Sequence, residues 1–82
     1  MLLDYFKTED LITVICTSDY IFNSSEKFEG VLFKKGRTYI ADYSNVSYGL
    51  MAVLQIFKEC PEKDVQVGMS IETFNDHFKT IT

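Results

Sequence analysis

Val65, Val67 and Met69 alternate with Gln66, Gly68 and Ser70. Apolar side chains two residues apart lie on one side of an extended backbone, so this run predicts a strand with one buried face. Arg37 to Tyr43 behaves alike, with Tyr39, Ala41 and Tyr43 on one side and Thr38, Ile40 and Asp42 on the other. Leu11 to Thr17, LITVICT, lacks clean alternation. It is rich in β-branched residues and bounded by Glu9-Asp10 and Ser18-Asp19, which predicts a strand buried on both faces. A short strand is expected from Glu29 to Phe33. Between these runs, SDYIFNSSEKFEG has the composition of a long surface loop, with Tyr20 and Phe22 as anchors at its root.

Leu50 to Glu59 admits two periods. As a helix, Leu50, Val53, Leu54 and Phe57 form a stripe, with Ser47 as cap and Pro61 as stop. As a strand, Leu50, Ala52, Leu54 and Ile56 face one way and Met51, Val53, Gln55 and Phe57 the other. The turn-forming Pro61-Glu62-Lys63-Asp64 leads straight into VQVGMS, so local antiparallel pairing favours the strand. A helix at about 47–59, and with it an α+β fold, is the alternative. Ser70 is placed to cap a short helix in which Ile71, Phe74 and Phe78 recur at helical spacing and Glu72 lies near the positive end of the backbone dipole. FKTIT then closes the chain as a last strand. The expected fold is mostly β, one domain over 1–82, with residues 1–10 as a flexible or docked extension.

Composition adds limits. Seven Phe and five Tyr in 82 residues supply the bulk for a small core without metal or disulfide. Twelve acidic residues against eight Lys and Arg give a net charge of −4, which disfavours general attraction to phosphate backbones. Cys16 and Cys60 form no CxxC pair and read as free thiols, the first buried in its strand and the second exposed beside Pro61. The N-terminus has no basic run before its apolar residues and no span-length hydrophobic stretch, so a cytoplasmic protein is expected. Lys34, Lys35 and Arg37 surround Gly36, whose backbone freedom suits a tight turn. The cluster reads either as an anion-binding site or as charges that keep a sheet edge solvated.

Several of these residues carry a resemblance. Val14 and Cys16, then Phe33, Gly36, Arg37 and Tyr39, then Phe74 and Phe78 resemble the pattern of small SH3-like β-barrel proteins found among bacteriophage and bacterial reading frames. The resemblance implies an antiparallel barrel of about five strands with a short C-terminal helical turn. It carries over no catalytic or binding residue.

Chemistry is sparse. The one histidine, His77, lies in neither a nucleophile elbow nor a metal-type spacing, and reads as a solvated side chain. Gly36 lacks the second glycine and the Lys-Ser/Thr ending of a phosphate loop. No enzyme activity, cofactor or metal is expected. The leading expectation is a protein-binding module, a phage-type accessory or inhibitor protein that occupies a surface of a host or phage partner. Its candidate surface is Tyr20, Phe22, Tyr43 and Tyr48, with Tyr5 and Phe6 from the N-terminal segment. The alternative is nucleic-acid engagement through Lys34, Lys35 and Arg37 beside Tyr39, or carboxylates that imitate phosphates. It is disfavoured because three cations make a narrow face and the acids are scattered.

Overall fold

The computed structural model describes residues 5–22, 31–57 and 59–81. Along the chain these form β1 (Leu11–Cys16), β2 (Tyr20–Phe22), β3 (Val31–Phe33), β4 (Thr38–Asp42), β5 (Leu50–Gln55), β6 (Val65–Ser70), α1 (Ile71–His77) and β7 (Phe78–Thr80). A five-stranded antiparallel sheet has the order β6-β5-β4-β1-β7, and β2 pairs with β3 in a separate two-stranded ribbon. The fold is mostly β. Segment 50–59 resolves as a strand over Leu50–Gln55, not a helix.

Register explains which side chains meet. Ile12, Ala41, Val53 and Val67 stand side by side across β1, β4, β5 and β6. Val14 beside Tyr39, Met51 beside Met69 and Cys16 beside Phe78 extend the same face. Phe33 from the ribbon and Phe74 from α1 complete the buried cluster, with Tyr20, Phe22 and Ile71 packed against it. The Phe33 ring meets Tyr39 edge-on at 4.9 Å and Phe78 edge-on at 5.6 Å, while Phe74 stacks on Phe78 at 5.5 Å. Such ring pairs contribute about 0.5–1.5 kcal/mol each beyond the area they bury.

β5 is buried on both faces. Met51 and Val53 belong to the core, while Ala52 and Leu54 are buried on the opposite side. β6 keeps the strict alternation expected of it, with Val67 and Met69 in and Gln66, Gly68 and Ser70 out. At its end Ser70 caps α1 by accepting the Thr73 N–H at 3.1 Å, as the sequence predicts.

Three local expectations are corrected. Tyr20–Phe22 is a strand rather than the root of a loop, because Tyr20 and Phe22 turn inward and leave Ile21 outside. The expected loop at Asn23–Ser25, and Glu29 and Gly30 of the expected strand, lie outside the described residues. Asp42, which shares a face with Thr38 and Ile40, is buried, and its two carboxylate oxygens accept the Ser44 N–H at 3.0 Å and the Ser44 hydroxyl at 2.9 Å. His77 is half-buried rather than solvated: its ring lies edge-on to Tyr20 at 4.9 Å and its Nδ1 is 3.2 Å from the Ser18 carbonyl oxygen. Cys60, expected exposed, is only partly so.

The ribbon register makes a sharp contrast between neighbours. Phe33 is wholly buried whereas Leu32 is 37% exposed. Phe33→Ala is therefore expected to cost about 3–5 kcal/mol, and Leu32→Ala well under about 1 kcal/mol, in urea unfolding followed by circular dichroism. Equal losses would mean that the ribbon is set in another register.

Candidate functional site

β4 joins two ends of the molecule that differ in chemistry. Its Thr38 end follows the basic turn; its Asp42 end leads into residues 43–49. Five residues of strand separate them, about 15 Å.

At the first end, Gly36 has φ +89°, the left-handed conformation that a side chain would strain. The Arg37 N–H donates to the Lys34 carbonyl at 3.1 Å, which closes the turn. β3 and β4, the strands it joins, lie in different sheets. Each backbone N–H from Lys34 to Arg37 is engaged. The Gly36 N–H donates to the Cys16 carbonyl at 2.8 Å, the Cys16 N–H to the Arg37 carbonyl at 2.9 Å, and the Lys35 N–H to Asp19 Oδ1 at 2.7 Å. The Lys34 N–H donates to the Tyr39 hydroxyl at 2.9 Å. Lys34, Lys35 and Arg37 are exposed, and their side chains have no ion-pair partner among the described residues. Tyr39 packs on Phe33 and Phe78, so it offers no ring face for stacking a base. Beside the turn lies a depression of about 450 Å³ whose lining includes Arg37, Thr38, Ile40, Leu54 and Phe57.

At the second end, residues 43–49 and Leu50, the first residue of β5, present apolar side chains to solvent. Tyr48 is 80% exposed, Leu50 48%, Val46 45% and Tyr43 37%. None of them belongs to the core cluster. The excursion is nonetheless held firmly. Val46–Tyr48 forms a 3-10 turn, Gly49 adopts φ +79°, and the Leu50 N–H returns to the Asn45 carbonyl at 3.2 Å. The Asp42 carboxylate fixes Ser44, the Tyr43 hydroxyl donates to the Glu9 carbonyl at 2.7 Å, and the Tyr43 N–H to the Asp10 carbonyl at 3.0 Å. Through these bonds the N-terminal turn Thr8–Asp10 docks beside the excursion. Tyr5, 87% exposed, and half-buried Phe6 precede that turn.

The six aromatics expected to form one surface thus divide. Tyr20 and Phe22 pack on the core from the ribbon, while Tyr43 and Tyr48 stand on the excursion. Val46 gives no periodic signal because it stands alone among turn formers, and Leu50 reads as part of the apolar run that it opens rather than as surface. No protein-family model matches the chain, and no curated protein or solved structure matches it either.

The two thiols differ in chemistry. Cys16 is buried, and its Sγ donates to the Ser18 carbonyl at 3.1 Å; burial pushes its pKa above the ordinary thiol value, with the Asp19 charge adding in the same sense. Cys60 Sγ lies 2.9 Å from the Glu62 carboxylate, and that bond, aided by desolvation and by Asp64, also raises its pKa. The same bond lowers the pKa of Glu62. Glu62→Gln removes the negative acceptor that holds the proton on sulfur. It is expected to lower the Cys60 pKa, so that at pH 8 the thiolate fraction and the rate of iodoacetamide alkylation both rise while Cys16 stays unmodified. An unchanged pH–rate profile would show that the Cys60–Glu62 bond does not form in solution.

Proposed function

We propose that this protein is a small non-enzymatic protein-binding module whose contact surface is the rigid excursion bearing Tyr43, Val46, Tyr48 and Leu50. One observation carries the reading: four large apolar side chains stand exposed on a segment fixed by its own hydrogen bonds, although the fold uses none of them in its core. Aromatic side chains held in place make strong contacts because little conformational freedom remains to be lost on binding. Tyr5 and Phe6, attached to the neighbouring Thr8–Asp10 turn, extend the same end. The strand order, the long connection from β1 to β4, and the helical turn between β6 and β7 support reading the sheet as the SH3-like barrel that the motifs resemble. With that resemblance goes the role of a phage-type accessory protein that occupies a surface of a host or phage protein in the cytoplasm. No helix among the described residues is long and apolar enough to cross a membrane.

The test compares surfaces. Val46→Ser with Tyr48→Ala is expected to change stability by about 0.5 kcal/mol or less per site, yet to weaken a captured partner about thirtyfold, a hot-spot loss of about 2 kcal/mol. Lys34→Glu with Lys35→Glu should leave capture intact, and added salt should weaken the complex only slightly. Steep salt dependence, with capture lost in the lysine variant and kept in the tyrosine variant, would move the function to the basic turn and to phosphate contacts.

A further inference from the structure

The ladder between β4 and β5 stops short of the end of β4. It runs from Asp42–Ala52 to Ile40–Leu54, although the same register would set Thr38 opposite Ile56. In an antiparallel pair, alternate residues of a strand turn both N–H and C=O to the neighbour on one side. The Ile71 N–H bonds to the Gly49 carbonyl on the β5–β6 register, and the Cys16 N–H to the Arg37 carbonyl on the β1–β4 register. Odd residues of β5 therefore turn to β6 and even ones to β4, while odd residues of β4 turn to β1 and even ones to β5. Ile56 continues this alternation, since it lies between Gln55, paired with Val65, and Phe57, whose N–H donates to Asp64 Oδ1 at 2.6 Å. Thr38 and Ile56 thus turn their backbone groups toward each other's strand, and no hydrogen bond joins them or takes their place among the described residues.

Both sides of this gap are held by other partners. β4 stays on β1 as far as the Ile15–Thr38 pair. The end of β5 is drawn the other way, by the Phe57 bond to Asp64 and by the Gln55 side chain on the Leu32 carbonyl at 2.8 Å. The opening is therefore built into the fold. The depression of about 450 Å³ lies there, with Arg37, Thr38 and Tyr39 on one side and Ile56 and Phe57 on the other. That volume falls within the range of roughly 300–1,000 Å³ common to ligand pockets.

Shape and charge select the occupant. The Ile40–Leu54 pair closes the inner end of the gap, so an extended chain can enter it but not run through it. A chain terminus fits. Two open N–H groups and two open carbonyls ask for a ligand with both acceptors and a donor. Arg37 is exposed and has no ion-pair partner among the described residues, and none of the described residues lining the depression is Asp or Glu. A carboxylate is matched there and an ammonium is not, which favours the C-terminal residue of a polypeptide, with its carboxylate and neutral amide N–H, over a free amino acid. Half-buried Ile40 and Ile56, with Phe57 38% exposed, give that residue's side chain an apolar contact.

We propose that the gap between β4 and β5 receives the C-terminal residue of another polypeptide: its carboxylate accepts from the Arg37 guanidinium and the open N–H groups, its amide N–H donates to an open carbonyl, and its side chain is apolar. The site lies at the opposite end of β4 from the excursion and does not depend on it. The probe is acetyl-Gly-Ser-Val-Leu with a free carboxylate, titrated into the ¹⁵N-labelled full chain. Saturable shifts are expected at amides 37–40 and 55–57. The same peptide as its C-terminal amide should bind at least tenfold more weakly, the scale of one charge-assisted bond lost, and so should free leucine. Arg37→Gln should keep the Tm, since its side chain is exposed, and weaken the free-acid peptide at least tenfold. Lys34→Gln, and Val46→Ser with Tyr48→Ala, should leave its binding unchanged. The acid and amide peptides need no variant and decide the matter should Arg37→Gln unfold. Equal binding by the two peptides, undiminished binding by folded Arg37→Gln, or no saturable shift at those amides overturns the proposal. So does free leucine binding as tightly as the peptide, which would make the ligand an amino acid. Loss of the peptide in the Val46–Tyr48 variant would move it to the excursion and leave the gap without a ligand.

Discussion

The antiparallel register that seats Val53 between Ala41 and Val67 is the constraint on which the rest of the structure depends. β5 does not set this register by itself. Because Met51 and Val53 are buried on one face and Ala52 and Leu54 on the other, a slip of one residue would exchange one apolar set for the other. β6 supplies the discrimination, since the same slip would drive Gln66 and Ser70 toward the core and bring Val67 and Met69 into water. The Gln55 side chain adds a latch across elements by donating its Nε2–H to the Leu32 carbonyl at 2.8 Å. Register also brings Leu50, at the foot of the exposed excursion, beside Ser70.

Where burial is one-sided, the sequence announces its structure. β6, the Ser70 cap and the Phe74–Phe78 spacing all follow from local periodicity, because each element exposes one face and hides the other. β5 as a strand follows only from its neighbours, the turn at Pro61–Lys63 and the alternating run after it. β2 escapes notice because Tyr20–Phe22 is three residues long and lies against a polar stretch, too short for a period to emerge. The burial of Asp42 is not legible in the alternation, because it follows from the carboxylate organising Ser44 at the strand end.

Division of the aromatics has the same origin. Tyr20 and Tyr48 are chemically identical and both follow polar residues, yet Tyr20 lies between Phe33 and His77 while Tyr48 faces water. What separates them is tertiary: the chain returns at His77, the last residue of α1, to meet the Tyr20 ring, whereas Tyr48 stays 80% exposed. No window of sequence around either tyrosine contains that information.

The two ends of β4 therefore show how polar atoms decide what a surface is free to do. At the basic turn the backbone N–H groups are consumed internally, by Cys16, Lys34, Asp19 and the Tyr39 hydroxyl, so an incoming anion finds exposed side chains but none of the fixed amides that make a strong site. At the other end the internal bonds hold the backbone in place while the apolar side chains remain unused. The cost of ordering that surface falls on folding rather than on association, which leaves more of the contact energy for a partner. Lys34, Lys35 and Arg37 stand as solvated charge beside the junction of ribbon and sheet, the kind of charge that discourages strand addition.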